Sequence, residues 1–101
     1  MDIGNRIQTI RKASHITAKE LAQRIEVSPS FISAVENNYC KLSLKTLGRI
    51  CEALGVSLAS FFNEEFSTVD TKLHFVIATL PDEKKWQLLS FLEGLYPSEE
   101  N

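Results

Sequence analysis

Apolar residues recur with a helical period along the first 62 positions, and polar residues punctuate them. Ile3, Ile7 and Ile10 stand at i, i+4 and i+7, one face of a helix, with Asp2 placed to cap its start. Thr17-Ala18-Lys19-Glu20 has the spacing of a capping box, and Leu21, Ala22 and Ile25 supply the buried stripe of a second helix. Ser28 followed by Pro29 predicts a third start. Proline at the first helical position lacks only an N–H that would go unpaired anyway. Phe31, Ile32 and Val35 are that helix's apolar positions. After a polar break over 37–42, Ser43 can cap a fourth helix carrying Leu44, Leu47, Ile50, Cys51 and Leu54, closed by a left-handed Gly55. Ser57 can cap a short fifth with Leu58, Phe61 and Phe62. Five short helices in a row predict a compact all-α domain.

Behind it the pattern changes. Residues 63–70 are polar and acidic, which places a boundary there: a domain over 1–65 and a segment over 66–101. Residues 73–80, LHFVIATL, are rich enough in β-branched and aromatic side chains for a strand. No other segment offers a partner strand, so a helix is expected. Pro81-Asp82-Glu83 reads as the start of another, with Trp86, Leu89, Leu92, Leu95 and Tyr96 behind it and Pro97 as its end. The expected result is an acidic helical hairpin too small for a core of its own. It can pack on the fifth helix, on a second subunit, or on both. Aromatic residues favour interfaces, so Phe75, Trp86, Leu89, Leu92 and Tyr96 are the candidates for dimerisation.

Charge sharpens the division. The 101 residues carry a formal charge of −2, which by itself argues against a nucleic-acid partner. Residues 1–63, however, hold eight basic against five acidic residues, a charge of +3. Residues 64–101 hold three against eight, a charge of −5. The front is mildly basic and the back is acidic.

An enzyme is not expected. No Ser-His-Asp grouping can be assembled, and the four glycines form no phosphate-binding loop. His15, His74, Cys40 and Cys51 lack metal-ligand spacing, so no metal or other cofactor is implied. No apolar run approaches a membrane span and no leader is visible at the start, so a cytoplasmic protein with two reduced thiols is expected. Cys40 beside Lys41 also admits a redox-sensing reading.

The segments ITAKELAQRIEVSPSFISAVENN and LSLKTLGRICEALGVSL carry a resemblance. Residues 3–62 resemble the phage-repressor-like family of helix-turn-helix domains, the lambda repressor and Cro type also called XRE. The matching features are Thr-x-x-x-Leu-Ala, Val-Ser, Ile-Ser and Glu in the first segment and Ala-Leu-Gly-Val-Ser in the second. The resemblance implies a helix-turn-helix over 17–36 and a sequence-specific, DNA-binding transcriptional regulator, usually a repressor. It implies a homodimer on a near-palindromic operator with half-sites one helical turn, about 34 Å, apart. It also implies a buried ion pair between Arg11 and Glu36. Two departures stand out. Glu26 occupies a turn position usually held by glycine, which suggests an altered turn, since positive φ strains other residues. Ala18 stands where many relatives carry a phosphate-contacting Gln, so Lys19 or the helix N-terminus must serve instead.

On this resemblance the helix over 28–36 enters the major groove. Ser28, Pro29, Ser30, Ser33, Ala34 and Asn37 face outward on it, and Asn37 or Asn38 could meet adenine. None of the outward residues is Arg, Lys or Gln, so base readout is thin and DNA shape carries part of the specificity. Phosphate contacts fall to Thr17, Lys19, Ser28, Asn38, Tyr39, Lys41 and Lys45. A different class of function fits the back segment: a protein-interaction regulator, antitoxin-like, whose last helices bind a protein partner.

Overall fold

The computed structural model describes residues 1–95. They form seven helices and no strand: α1 Ile3–Ala13, α2 Ala18–Arg24, α3 Pro29–Glu36, α4 Leu44–Leu54, α5 Leu58–Phe61, α6 Thr68–Ala78 and α7 Asp82–Leu95. The N-caps are side-chain chemistry. Asp2, Thr17, Ser28, Ser43 and Ser57 each accept the backbone N–H of the third helical residue, and Thr17 and Glu20 complete a capping box. Gly55 closes α4 at φ 72°, a left-handed conformation suited to glycine.

One core holds α1 to α5 together. Ile7, Ile10, Leu21, Ala22, Ile32, Ile50 and Phe61 are completely buried there. Leu44 is an exception among the expected core positions. It is the first residue of α4 and stands mostly in water, as does much of Phe62. α2 and α3 form the most extensive pair, and α1 crosses α3. That crossing needs Gly4. A Cβ there would lie 2.5 Å from the Val35 carbonyl oxygen and 2.6 Å from that of Glu36.

The segment 73–80 is helical as far as Ala78, and α6 is stitched to the front helices. Thr71 is fully buried, and its hydroxyl accepts from Arg6 Nη2 at 3.3 Å. Lys72 Nζ donates to the Leu54 carbonyl at 2.7 Å and to Ser14 Oγ at 2.9 Å. His74 Nδ1 lies 3.0 Å from Ser60 Oγ. The polar stretch 63–70 thus leads into a helix that packs on α1 and α5.

The expected hairpin is corrected. The N–H groups of Thr79 and Leu80 close the end of α6, and Pro81 then redirects the chain. α6 and α7 share no extended packed face, and α7 buries none of its described residues. The described chain accordingly measures 53 × 25 × 22 Å. Phe75, one of the dimer candidates, packs partly within its own chain. It is half-buried and its ring lies beside Gly55 within the chain. Tyr96 and Pro97 lie outside the described residues.

Candidate nucleic-acid interface

α3 is held from behind by an ion pair. Arg11 of α1 meets the Glu36 carboxylate side-on, Nε to Oε2 at 2.7 Å and Nη2 to Oε1 at 3.0 Å. Arg11 Nη1 also donates to the Ile16 carbonyl at 2.9 Å. Both residues are buried. Hydrogen bonding to Glu36 holds the Arg11 guanidinium further above its ordinary value. The pair ties the end of α3 to α1 and to the loop that leads into α2.

With that side fixed, the other side of α3 meets water. Ser30, Ser33 and Asn37 stand at i, i+3 and i+7, one stripe, and all three are exposed. The hydroxyls of Ser30 and Ser33 have no partner among the described residues. Pro29 and Ser28 are exposed at the start of the helix. Ser28 Oγ accepts from Phe31 N–H, which leaves its O–H proton for an outside acceptor. Thr17 has the same standing at the start of α2. Ala34 is half-buried, with the chain returning beside it so that its carbonyl accepts the Tyr39 N–H.

The two asparagines are largely committed to the fold. Asn37 Nδ2 donates to the Ser33 carbonyl at 2.9 Å, closing the end of α3. Asn38 takes φ 60°, accepts from Gly4 N–H on Oδ1 and donates to Asp2 Oδ1 at 2.9 Å. This clip uses the Asn38 carboxamide oxygen and one of its two N–H donors, and leaves the second N–H facing outward. Its long reach, from residue 38 to residues 2 and 4, left no local signal in the sequence. The bond from Asn38, with that from Asn5 N–H, keeps Asp2 below the usual carboxylate range.

The cations divide by type. All four arginines of the front are committed to carbonyl oxygens or to Glu36. Arg6 donates to the carbonyls of Phe61 at 2.6 Å and Ser60 at 3.3 Å, and its guanidinium lies 5.5 Å from the Phe61 ring centre. Arg24 meets the Ala53 carbonyl and Arg49 that of Ile25, reciprocal clips between α2 and α4. Lys12, Lys19, Lys41 and Lys45 make no hydrogen bond or ion pair among the described residues, and all four are exposed. Lys19 is in the first turn of α2, Lys41 follows α3, and Lys45 is in the first turn of α4. Tyr39, beside them in sequence, is 84% exposed.

The turn between α2 and α3 keeps its left-handed residue despite the substitution that suggested otherwise. Glu26 takes φ 60°. The backbone accepts the strain because Val27 N–H must reach the Ala22 carbonyl, at 2.9 Å, to bring α3 back across α2. No cluster of metal-ligating side chains occurs among the described residues. Burial pushes the Cys51 thiol up to about 11, which makes it a poor nucleophile. No helix among them is long and apolar enough to cross a membrane.

Known proteins match this arrangement. A helix-turn-helix family model matches residues 7–61. The immunity repressor protein of Bacillus phage phi105 is 34% identical over 65 residues, covering 64% of this chain and 45% of that protein. The chain thus spans about half the length of that relative or less. Among solved structures, the clp gene regulator ClgR from Corynebacterium glutamicum superposes with a TM-score of 0.58 at 27% identity, over 69% of this chain and 82% of that one. A mutant of the restriction-modification controller protein C.Esp1396I gives 0.59 at 28% identity, over 71% and 92%.

Proposed function

The chain belongs to the helix-turn-helix family, and on that premise we propose that it is a cytoplasmic, sequence-specific DNA-binding regulator of transcription. It lays α3 in the major groove and acts as a dimer on a near-palindromic site, repressing by occlusion. The observation that carries this reading is the division of the cations. Arginines hold the domain together, while Lys19, Lys41 and Lys45, near the starts of α2 and α4 and after α3, remain for phosphates. Ser30, Ser33 and Asn37 then meet base edges with adaptable but weak donors and acceptors. The phi105 relative, an immunity repressor by name, supports the repressing role.

The test is selection of bound sequences from a random DNA pool, followed by fluorescence anisotropy on the enriched site across salt concentrations. A dimer neutralising about six phosphates gives a slope of log K against log salt of about −5. Lys41→Ala should weaken binding uniformly across sequences and reduce the slope by about 2, one phosphate per subunit. A slope near zero, or no enriched motif, overturns the reading.

A further inference from the structure

The outer face of α6 and nearly all of α7 carry apolar surface that nothing in the described chain covers. On α6, Val69, Leu73 and Val76 recur at i, i+4 and i+7, so they form one stripe. It lies opposite the face that Thr71 and Phe75 turn toward the core. Helices apolar on both sides are ordinarily buried on both sides. The stripe lines a shallow groove of about 340 Å3 together with Ala13, Thr68 and Lys72. On α7, Trp86 is 68% exposed, and Leu89, Phe91, Leu92 and Leu95 are exposed with it.

We propose that the α6 groove of one chain seats α7 of a second copy, each copy giving its α7 and receiving the other's. This rests on the dimeric reading above and says where and how the dimer forms. Within one chain the two faces share no packed surface, because the short connection through Pro81 sends α7 away from α6. In the pair, each chain has one seat and one helix to fill it. Reciprocal exchange about a two-fold axis closes with nothing left open, whereas one-way docking would leave a seat for the next chain and propagate. The area fits as well. The exposed parts of these α6 and α7 side chains amount to roughly 800 Å2 per chain, one side of a standard interface.

The exchange bears on DNA binding because α6 is clipped to the front domain through Thr71, Lys72 and His74. A dimer joined through α6 therefore fixes the separation of its two α3 helices.

The test uses the full chain and two variants on exposed positions, Leu73→Lys on α6 and Leu92→Glu on α7. Light scattering during size-exclusion chromatography reads the oligomeric state without DNA, and circular dichroism checks the fold. Wild type should be a dimer, and each variant alone should be folded but monomeric, with dimer affinity lowered by about tenfold or more. Mixed in equal amounts, the variants should form a heterodimer. One of its seats is wild type on both sides, and the other pairs the new lysine with the new glutamate. A monomeric wild type, a Leu73→Lys dimer, or a mixture that stays monomeric overturns exchange. Pairing of α6 with α6 or of α7 with α7 predicts no such rescue. Failure of the rescue alongside intact salt-dependent DNA binding overturns this inference alone. Rescue without DNA binding overturns the functional reading alone.

Discussion

α4 and α7 are helices of 11 and 14 residues, each with leucine and isoleucine or leucine alone at helical spacing. In α4, Leu47, Ile50 and Leu54 are buried, while Lys45, Arg49 and Glu52 on the other side meet water. In α7, Leu89, Leu92 and Leu95 are all exposed, and Phe91 and Trp86 widen the apolar surface around the helix. The residue types are nearly the same. What differs is the set of neighbours. α4 has α2 and α5 to pack on, a glycine to close its end, and arginine clips to fix its flank. α7 has only the end of α6 before it. Leucine spacing announces that a helix needs a partner surface, and it does not say whether that surface belongs to the same chain.

The front domain, whose polar groups are paired inside, should respond most strongly to damage there. Glu36→Ala strands the Arg11 guanidinium in a buried site, and the expected loss is about 3–5 kcal/mol of unfolding free energy in urea. An unchanged urea midpoint would show that the pair contributes like a solvated one. The contrasting change is Trp86→Ala in α7. At concentrations low enough to hold the chain monomeric, it should move stability by no more than about 0.5 kcal/mol, since Trp86 is 68% exposed and outside the core. A loss of several kcal/mol there would erase the contrast between the two regions.

The helix starts of the front were legible because an N-cap is local chemistry. Asp2, Thr17, Ser28, Ser43 and Ser57 each bond to an N–H three residues on, and that spacing is written in the sequence. The outward stripe of α3 followed equally from period alone. The duties of the arginines did not, because Arg6 reaches residues 54–65 positions away and nothing near it in sequence foretells a carbonyl target. The bonds of Asn38 to residues 2 and 4 left no local trace either. Gly4 carried a faint signal: a lone glycine inside a helical pattern commonly marks a close approach. The direction of α7 was not legible, since a three-residue link permits either a folded-back or a projecting helix.

A smaller effect, of opposite sign, tests the strained turn of the front. Glu26 holds φ 60°, which costs a residue with a Cβ about 1–2 kcal/mol relative to the right-handed region. Glycine relieves that strain but gives back about 0.5–1 kcal/mol through the freedom of the unfolded chain. Glu26→Gly should therefore stabilise by up to about 1 kcal/mol, read as a higher urea midpoint with unchanged slope. A lower midpoint would mean that the Glu26 side chain contributes more than its backbone strain costs.

The smallest effect concerns acid. Glu20 lies below the usual carboxylate range because it accepts the Thr17 backbone N–H, and Asp2 lies below it through Asn38 and Asn5. A carboxylate depressed in the folded state favours folding above its unfolded value, about 4.3 for glutamate and 3.9 for aspartate. That contribution is lost as the pH falls through the folded value. Both groups are fully exposed, so solvent screening keeps the effect modest. Glu20→Gln keeps an acceptor for the capping box while removing the titration. Its urea midpoint should therefore fall less steeply than wild type between neutral pH and about pH 3. A slope unchanged by Glu20→Gln would place the acid sensitivity elsewhere than in the capped end of α2.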